Sequence, residues 1–168
     1  MIRDDARVSD DLPVLETRDG LRVRLRRAAA ADVPELVRLM ADDAISAGRE
    51  TSDLAPYERA FARIDADPDQ LLVVGEVDGE PACTLQLTVI PGLARGGALR
   101  GQVEAVRVRS DLRSRGIGDV LLRWAAGELR SRGCAVAQLT TDKRRLDAHR
   151  FYARLGWVNS HEGFKIQL

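Results

Sequence analysis

Between Val103 and Trp124 the chain reads VEAVRVRSDLRSRGIGDVLLRW: an apolar β-branched run, a basic turn and an amphipathic segment in direct succession. Val103, Val106 and Val108 form the strand-like run. Ile117, Val120, Leu121 and Trp124, spaced i, i+3, i+4, i+7, form the apolar face of a helix. The chemistry this arrangement can do is anion binding. The first N–H groups of a helix have no partner within it and sit at the positive end of its dipole, where phosphate oxygens are favoured. Arg113 and Arg115 add guanidinium donors and Ser114 a small hydroxyl, while Gly116 and Gly118 leave the backbone open to close approach.

The spacing Arg113-x-x-Gly116-x-Gly118 belongs to neither of two common phosphate loops. A Walker loop needs a lysine and a Ser/Thr that are missing here. The dinucleotide fingerprint needs a third glycine and an opening βα unit. By itself the glycine spacing is also compatible with an exposed basic turn ahead of an ordinary helix. The two histidines, His149 and His161, lack metal-ligand spacing, so no metal site is expected. His149 reads either as a helix-surface residue or as part of an acid–base relay. His161-Glu162 either lines an acceptor pocket or decorates a hairpin.

The run Arg113-Ser114-Arg115-Gly116-Ile117-Gly118, after a strand ending Val106-Arg107-Val108, resembles motif A of the GNAT superfamily of N-acetyltransferases. Downstream, Ala148-His149-Arg150-Phe151-Tyr152-Ala153-Arg154-Leu155-Gly156-Trp157 resembles motif B, A-x-x-F/L-Y-x-x-x-G-F. The motifs fall in the family's order and at its usual separation, and the resemblance covers roughly Leu21 to Leu168. It implies acetyl transfer from acetyl-CoA to an amine by direct attack in a ternary complex.

Several roles follow from the resemblance. The segment Arg113 to Asp119 (Arg113, Ser114, Arg115, Gly116, Ile117, Gly118, Asp119) grips the cofactor pyrophosphate. The backbone around Val106, Arg107 and Val108 pairs with the amide-bearing pantetheine arm as with a short strand. Glu104 occupies the place of a catalytic glutamate, acting on the ammonium directly or through water; its other reading is a surface glutamate paired with an arginine. On a regular strand Glu104, Val106 and Val108 share one face, although the family often has a bulge here that re-aims side chains. Tyr152 occupies the place of the acid for the leaving thiolate, its other reading being a core aromatic with a satisfied hydroxyl. A backbone N–H near Val106 is the cheapest oxyanion donor. The family often carries Asn three residues before the motif B alanine. Arg145 stands there instead, in a position to reach a phosphate.

These groups must be positioned by a chain of 168 residues, one ordinary domain long, with 45% hydrophobic and 31% charged residues. Its 26 basic and 26 acidic residues give zero formal charge, which argues against a nucleic-acid partner without excluding a local basic patch. Cys83 and Cys134 read as two reduced, buried residues with no disulfide or zinc pattern. No apolar run reaches membrane length, and the charged N-terminus is unlike a signal peptide, so a cytoplasmic protein is expected. Residues 1–12 read as a mobile tail and 13–168 as one domain. The expected order is β-β-α-α-β-β-β-α-β-α-β-β, an α+β fold with a mixed, mostly antiparallel sheet flanked by about four helices. Asp32 is expected to cap the first helix. A last strand pair is expected over Trp157 to Leu168, around Ser160 to Gly163.

The resemblance to the GNAT superfamily implies that acceptor choice falls to Ala41 to Tyr57, Pro91 to Gly101 and Asn159 to Gly163. There Asp42, Asp43, Glu50 and Asp53 are placed either to attract a cationic amine or simply to be solvated. The acceptor is a small-molecule or protein amine, and a homodimer is a reasonable expectation. Two other functions compete: a non-catalytic acyl-CoA sensor, and a GNAT toxin acetylating aminoacyl-tRNA. Finding both Glu104 and Tyr152 favours the enzyme over the first, and the neutral net charge speaks against the second.

Overall fold

The computed structural model describes residues 12–42, 48 and 50–168. Of the expected N-terminal tail, residues 1–11 lie outside the described residues. Six strands form one sheet in sequence order: β1 (Val14–Glu16), β2 (Arg22–Arg27), β3 (Gln70–Val77), β4 (Glu80–Ile90), β5 (Leu99–Val108) and β6 (Cys134–Leu139). All neighbours are antiparallel except β5 and β6, which run parallel. The helices are α1 (Val33–Ala41), α2 (Ala55–Ala66), the single turn α3 (Ala94–Gly97), α4 (Ile117–Ser131) and α5 (Leu146–Arg154).

The strands follow from alternation and turn chemistry. In β2, Val23 and Leu25 are buried while Arg22 and Arg24 are exposed, the period-two pattern of a half-buried strand. The hairpin from β3 to β4 turns at Asp78 and Gly79, both with positive φ, which is the turn whose twist matches antiparallel strands.

Each face of the sheet carries its own core. On one face Leu121, Leu122, Ala125 and Leu129 of α4 pack with Leu71, Val73, Leu85, Leu87 and Val103. On the other, Val33, Leu36 and Val37 of α1 and Phe61 of α2 cover Leu72 and Val74. The sheet is thereby fixed from both sides. Among the described residues no helix is long and apolar enough to cross a membrane.

Several expectations are corrected. Residues 157–168 hold no strand. β5 begins at Leu99, so the connection after β4 is shorter than the expected loop Pro91 to Gly101. Cys83 is buried, but Cys134, near the end of the sheet, is only half-buried. Asp32 does not cap α1 with its side chain. Its carboxylate accepts the Ala29 amide at 2.7 Å, closing the preceding 3-10 turn, and takes the Arg26 guanidinium at 2.6 and 2.8 Å. Arg26 also donates to Glu76 on β3 at 2.6 Å, so the cluster ties the start of α1 to the sheet.

The Arg26 hydrogen bonds hold the Asp32 carboxyl below the usual carboxylate range. A depressed carboxyl contributes stability above its ordinary value, and that stability is lost as pH falls through the lowered one. Asp32→Asn is therefore expected to cost about 1–2 kcal/mol near neutrality, discounted for the partly exposed arginine. The difference from the parent protein should shrink on acidification below the ordinary carboxylate range. Urea unfolding at several pH values checks both.

Candidate active site

β5 is irregular where the chemistry is expected. Ala105 has φ of 51°, and between Glu104↔Gln86 and Arg107↔Thr84 two residues of β5 face one of β4. This is a β-bulge. On a regular strand Val106 would face away from Val103. Here Val103, Val106 and Val108 all pack on the α4-side core. Glu104 consequently does not share a face with Val106 and Val108. It pairs with Gln86 and Arg107 pairs with Thr84, which places both on the opposite face.

The bulge also marks where β5 and β6 part. Their last paired residues are Val103 and Leu139. Beyond them lies a pocket of about 210 Å³ bordered by Glu104, Arg107, Thr140, Thr141, Arg145 and Tyr152, among others. It adjoins a larger cleft of about 1540 Å³, and Val106, Arg107, Arg145, Ala148 and Tyr152 border both.

The cleft gathers every residue expected to hold the cofactor: Val106, Arg107, Val108, the run Arg113 to Asp119, and Arg145. Nine arginines and four carboxylates line it, a local excess of positive charge in a chain with none overall. The N-terminus of α4 opens into this cleft. The Gly116 carbonyl accepts the Asp119 and Val120 amides, so the Ile117 and Gly118 amides are the ones aimed out of the helix end. Gly116 precedes the helix with φ of 80°, a conformation that glycine adopts without strain. Gly118 has a different reason. A Cβ there would lie 3.1 Å from the Phe151 ring, so its missing side chain lets α4 and α5 approach each other.

The turn arginines are engaged with the protein itself. Arg113 donates to the Val108 carbonyl at 3.0 Å and binds Asp42, through its backbone carbonyl and through a carboxylate 3.3 Å away. Asp42 also accepts the Ser110 amide at 2.7 Å. Arg115 pairs with Asp19 at 3.4 Å, and the Thr17 hydroxyl donates to that same carboxylate. The hydrogen bond from Thr17 is the main reason the Asp19 carboxyl sits below its ordinary value. The β1–β2 hairpin and the end of α1 thus both brace the basic turn. Asp19, 96 positions from Arg115, was missed as a site residue because no local pattern signals such a pair; Asp42, expected on the acceptor side, binds Arg113, 71 positions away.

The other acidic residues of the α1–α2 connection are occupied. Asp53 accepts the Ala55 amide at 3.1 Å at the start of α2, and Glu50 accepts the Tyr57 hydroxyl at 2.8 Å. Asp43 lies outside the described residues. His149 contacts the Asp142 carbonyl through Nε2 at 3.1 Å, bracing the loop after β6. His161 is exposed beside Ser160.

Arg145, Ala148 and Tyr152 fall at i, i+3, i+7 across the start and body of α5 and so line one side of the pocket. Burial raises the Tyr152 phenol above its ordinary value, and the Arg107 and Arg145 charges pull it partly back. A phenol in this setting stays protonated through neutral pH and can donate.

The model of the acetyltransferase (GNAT) family matches residues 34–157. Over 64 residues the chain is 41% identical to an aminoalkylphosphonate N-acetyltransferase from Salmonella typhimurium, a match covering 38% of this chain and 42% of that protein. The chain thus spans less than half the length of that relative. A transcriptional regulator from Bacillus halodurans superimposes with a TM-score of 0.83 at 40% identity, covering 87% of this chain and 99% of that one. A putative acetyltransferase from Agrobacterium tumefaciens gives 0.77 at 26% identity, with 86% and 99% covered. The chain belongs to the acetyltransferase (GNAT) family.

With Tyr57→Phe, Tyr152 becomes the sole tyrosine of the chain. Its phenolate absorbance is expected to rise only above the ordinary tyrosine range. Adding Arg107→Gln should move that titration further up, because a neighbouring positive charge is removed. Spectrophotometric titration reads both.

Proposed function

We propose that the protein transfers the acetyl group of acetyl-CoA to the primary amine of a small molecule. One observation carries this reading: Glu104 and Tyr152, from separate elements, border one small pocket that adjoins an arginine-rich cleft. The cofactor diphosphate would meet the Ile117 and Gly118 amides, Ser114, and the Arg113 and Arg115 guanidinium groups. The backbone of Val106, Arg107 and Val108 would pair with the pantetheine arm. Both turn arginines already have carboxylate partners, so a phosphate would share or displace them. The thioester supplies the acetyl group.

Glu104 takes the proton that an alkylammonium must lose before it attacks. The ordinary pKa of such a group is about 10, so at neutral pH this removal is required. Tyr152 returns a proton to the departing sulfur. A backbone N–H near Val106 receives the charge that develops on the carbonyl oxygen. The pocket is small, about 210 Å³, which suits a compact amine. The Salmonella relative is named for an aminoalkylphosphonate, an amine that also carries an anion. Arg107 and Arg145 border this pocket and would meet such an anion.

Tyr152→Phe is expected to lower kcat by about 10²-fold or more while leaving CoA affinity nearly unchanged. Steady-state kinetics and calorimetric titration measure the two, and unaltered turnover removes Tyr152 from the acid role. Glu104→Gln is expected to lower kcat by about 10²-fold while leaving CoA affinity nearly unchanged. A panel of amines, scored by thiol release from acetyl-CoA, should favour small acceptors with an anionic group over neutral amines and peptides.

A further inference from the structure

Glu104 lies on the face of the sheet away from α4 and is exposed there. Among the described residues none donates a hydrogen bond to its carboxylate or pairs with it. α1 and α2 cover this face over Leu72 and Val74. Farther along, from β3 to β6, the face is polar, with Gln70, Gln86, Thr88, Gln102 and Gln138 all half-buried. The register sets Gln86 directly opposite Glu104. Side chains so placed on one face are about 5 Å apart at Cβ.

Gln86 is held from the other side, by β3. Its Nε2 donates to Gln70 Oε1 at 2.9 Å, and the Thr88 hydroxyl donates to the same oxygen at 2.8 Å. Both lone pairs of that oxygen are then used. Turning the Gln86 amide over would set its oxygen against the Gln70 oxygen, so the network fixes which end of the amide is which. The nitrogen is committed to β3. The oxygen accepts nothing among the described residues and is left for the β5 side, where Glu104 stands. A carboxylate and an amide oxygen thus lie side by side on an open face, both with acceptor capacity to spare. A group with several N–H donors satisfies such a pair, and an alkylammonium has three.

We propose that Gln86 orients the acceptor: with Glu104 it forms the seat of the substrate's ammonium group, which turns the anionic end toward Arg107 and Arg145. This role rests on the acetyl transfer proposed above and adds a second group that holds the amine. The charge attraction to Glu104 lasts only until the proton moves. One N–H bond breaks, its proton joins the carboxylate, and the electron pair stays on nitrogen to attack the thioester carbon. Amine and carboxyl are then both neutral. A neutral acceptor that keeps a second N–H holds the nitrogen in place through this step. Gln70 and Thr88 touch no substrate and position Gln86. The partial negative charge on the Gln86 oxygen also disfavours an anion at this end. Arg107 follows the bulge on the same face and borders the pocket with Arg145, so the two ends of the acceptor are sorted by charge.

Steady-state kinetics with an aminoalkylphosphonate and with the matching neutral alkylamine, beside calorimetric titration of CoA, test this role. Gln86→Leu is expected to lower kcat/KM for both amines about tenfold or more, with the CoA dissociation constant within about twofold of the parent and the urea midpoint retained. Gln70→Leu frees the Gln86 amide to turn and should lower the same kcat/KM about threefold or more. In the Gln86→Leu background the Gln70 substitution should add nothing, because it acts through an amide already removed. A Gln86→Leu protein with the parent's kcat/KM overturns the role of Gln86 and leaves acetyl transfer standing. So do losses that add fully in the double variant, or that come with an equal loss of CoA affinity, since either marks a purely structural effect. A parent protein that acetylates no amine overturns acetyl transfer itself, and the role of Gln86 with it.

Discussion

One backbone irregularity governs the site: the left-handed Ala105 in β5. A strand that ran straight through this point would bury Val103 and expose Val106, and it would leave Glu104 facing the same way as Val106. The bulge adds one residue and resets the alternation. Val103 and the Val106/Val108 pair can then both enter the α4-side core while Glu104 and Arg107 face the other way. It falls where β5 leaves β6, so the same residue that re-aims the side chains also borders the pocket between the strands. A non-glycine residue at positive φ is costly by itself. Here the surrounding contacts fix it: β4 pairs on both sides of the bulge, and the α4 core holds Val106 and Val108.

The second constraint is electrostatic. The chain has no net charge, yet nine arginines converge on one cleft. Unshielded, such a cluster would repel itself in the folded state. Carboxylates balance it, Asp19 on Arg115 and Asp42 on Arg113 from distant parts of the sequence and Asp119 on Arg123 from one helical turn away. These ion pairs are exposed or half-exposed and contribute little to stability singly. Their consequence is geometric, because they hold the guanidinium groups beside the N-terminus of α4. A polyanion entering the cleft would meet donors already gathered, which would lower the ordering entropy of binding.

Most of this organisation was legible in local sequence. The strand-turn-helix from Val103 to Trp124, the amphipathic faces, the Asp-Gly turns and the second motif through Trp157 are short-range patterns, and short-range patterns survive reading without a structure. The features that escaped are those whose cause is non-local. The partners of Arg113 and Arg115 lie on α1 and on the β1–β2 turn. Asp32 looked like a helix cap because Asp before an apolar run usually is one, but Arg26 and the Ala29 amide compete for its oxygens and win. Gly118 was read as an opening for a ligand, whereas the space is filled by Phe151 from a helix about thirty residues away. The strand pair expected over 157–168 is absent.

Asp42 connects the two faces of the molecule. α1 belongs to the layer over Leu72 and Val74, and α4 to the layer over Leu85 and Val103. The end of α1 reaches past the sheet, and its final carboxylate and carbonyl take the Ser110 amide and the Arg113 guanidinium. Arg113 in turn donates to the Val108 carbonyl. One arginine therefore touches the helix layer on one face, the strand that carries the bulge, and the turn that opens the cleft. Arg113 thereby fastens the end of α1, in the layer on one face, to the turn beside the N-terminus of α4, in the layer on the other.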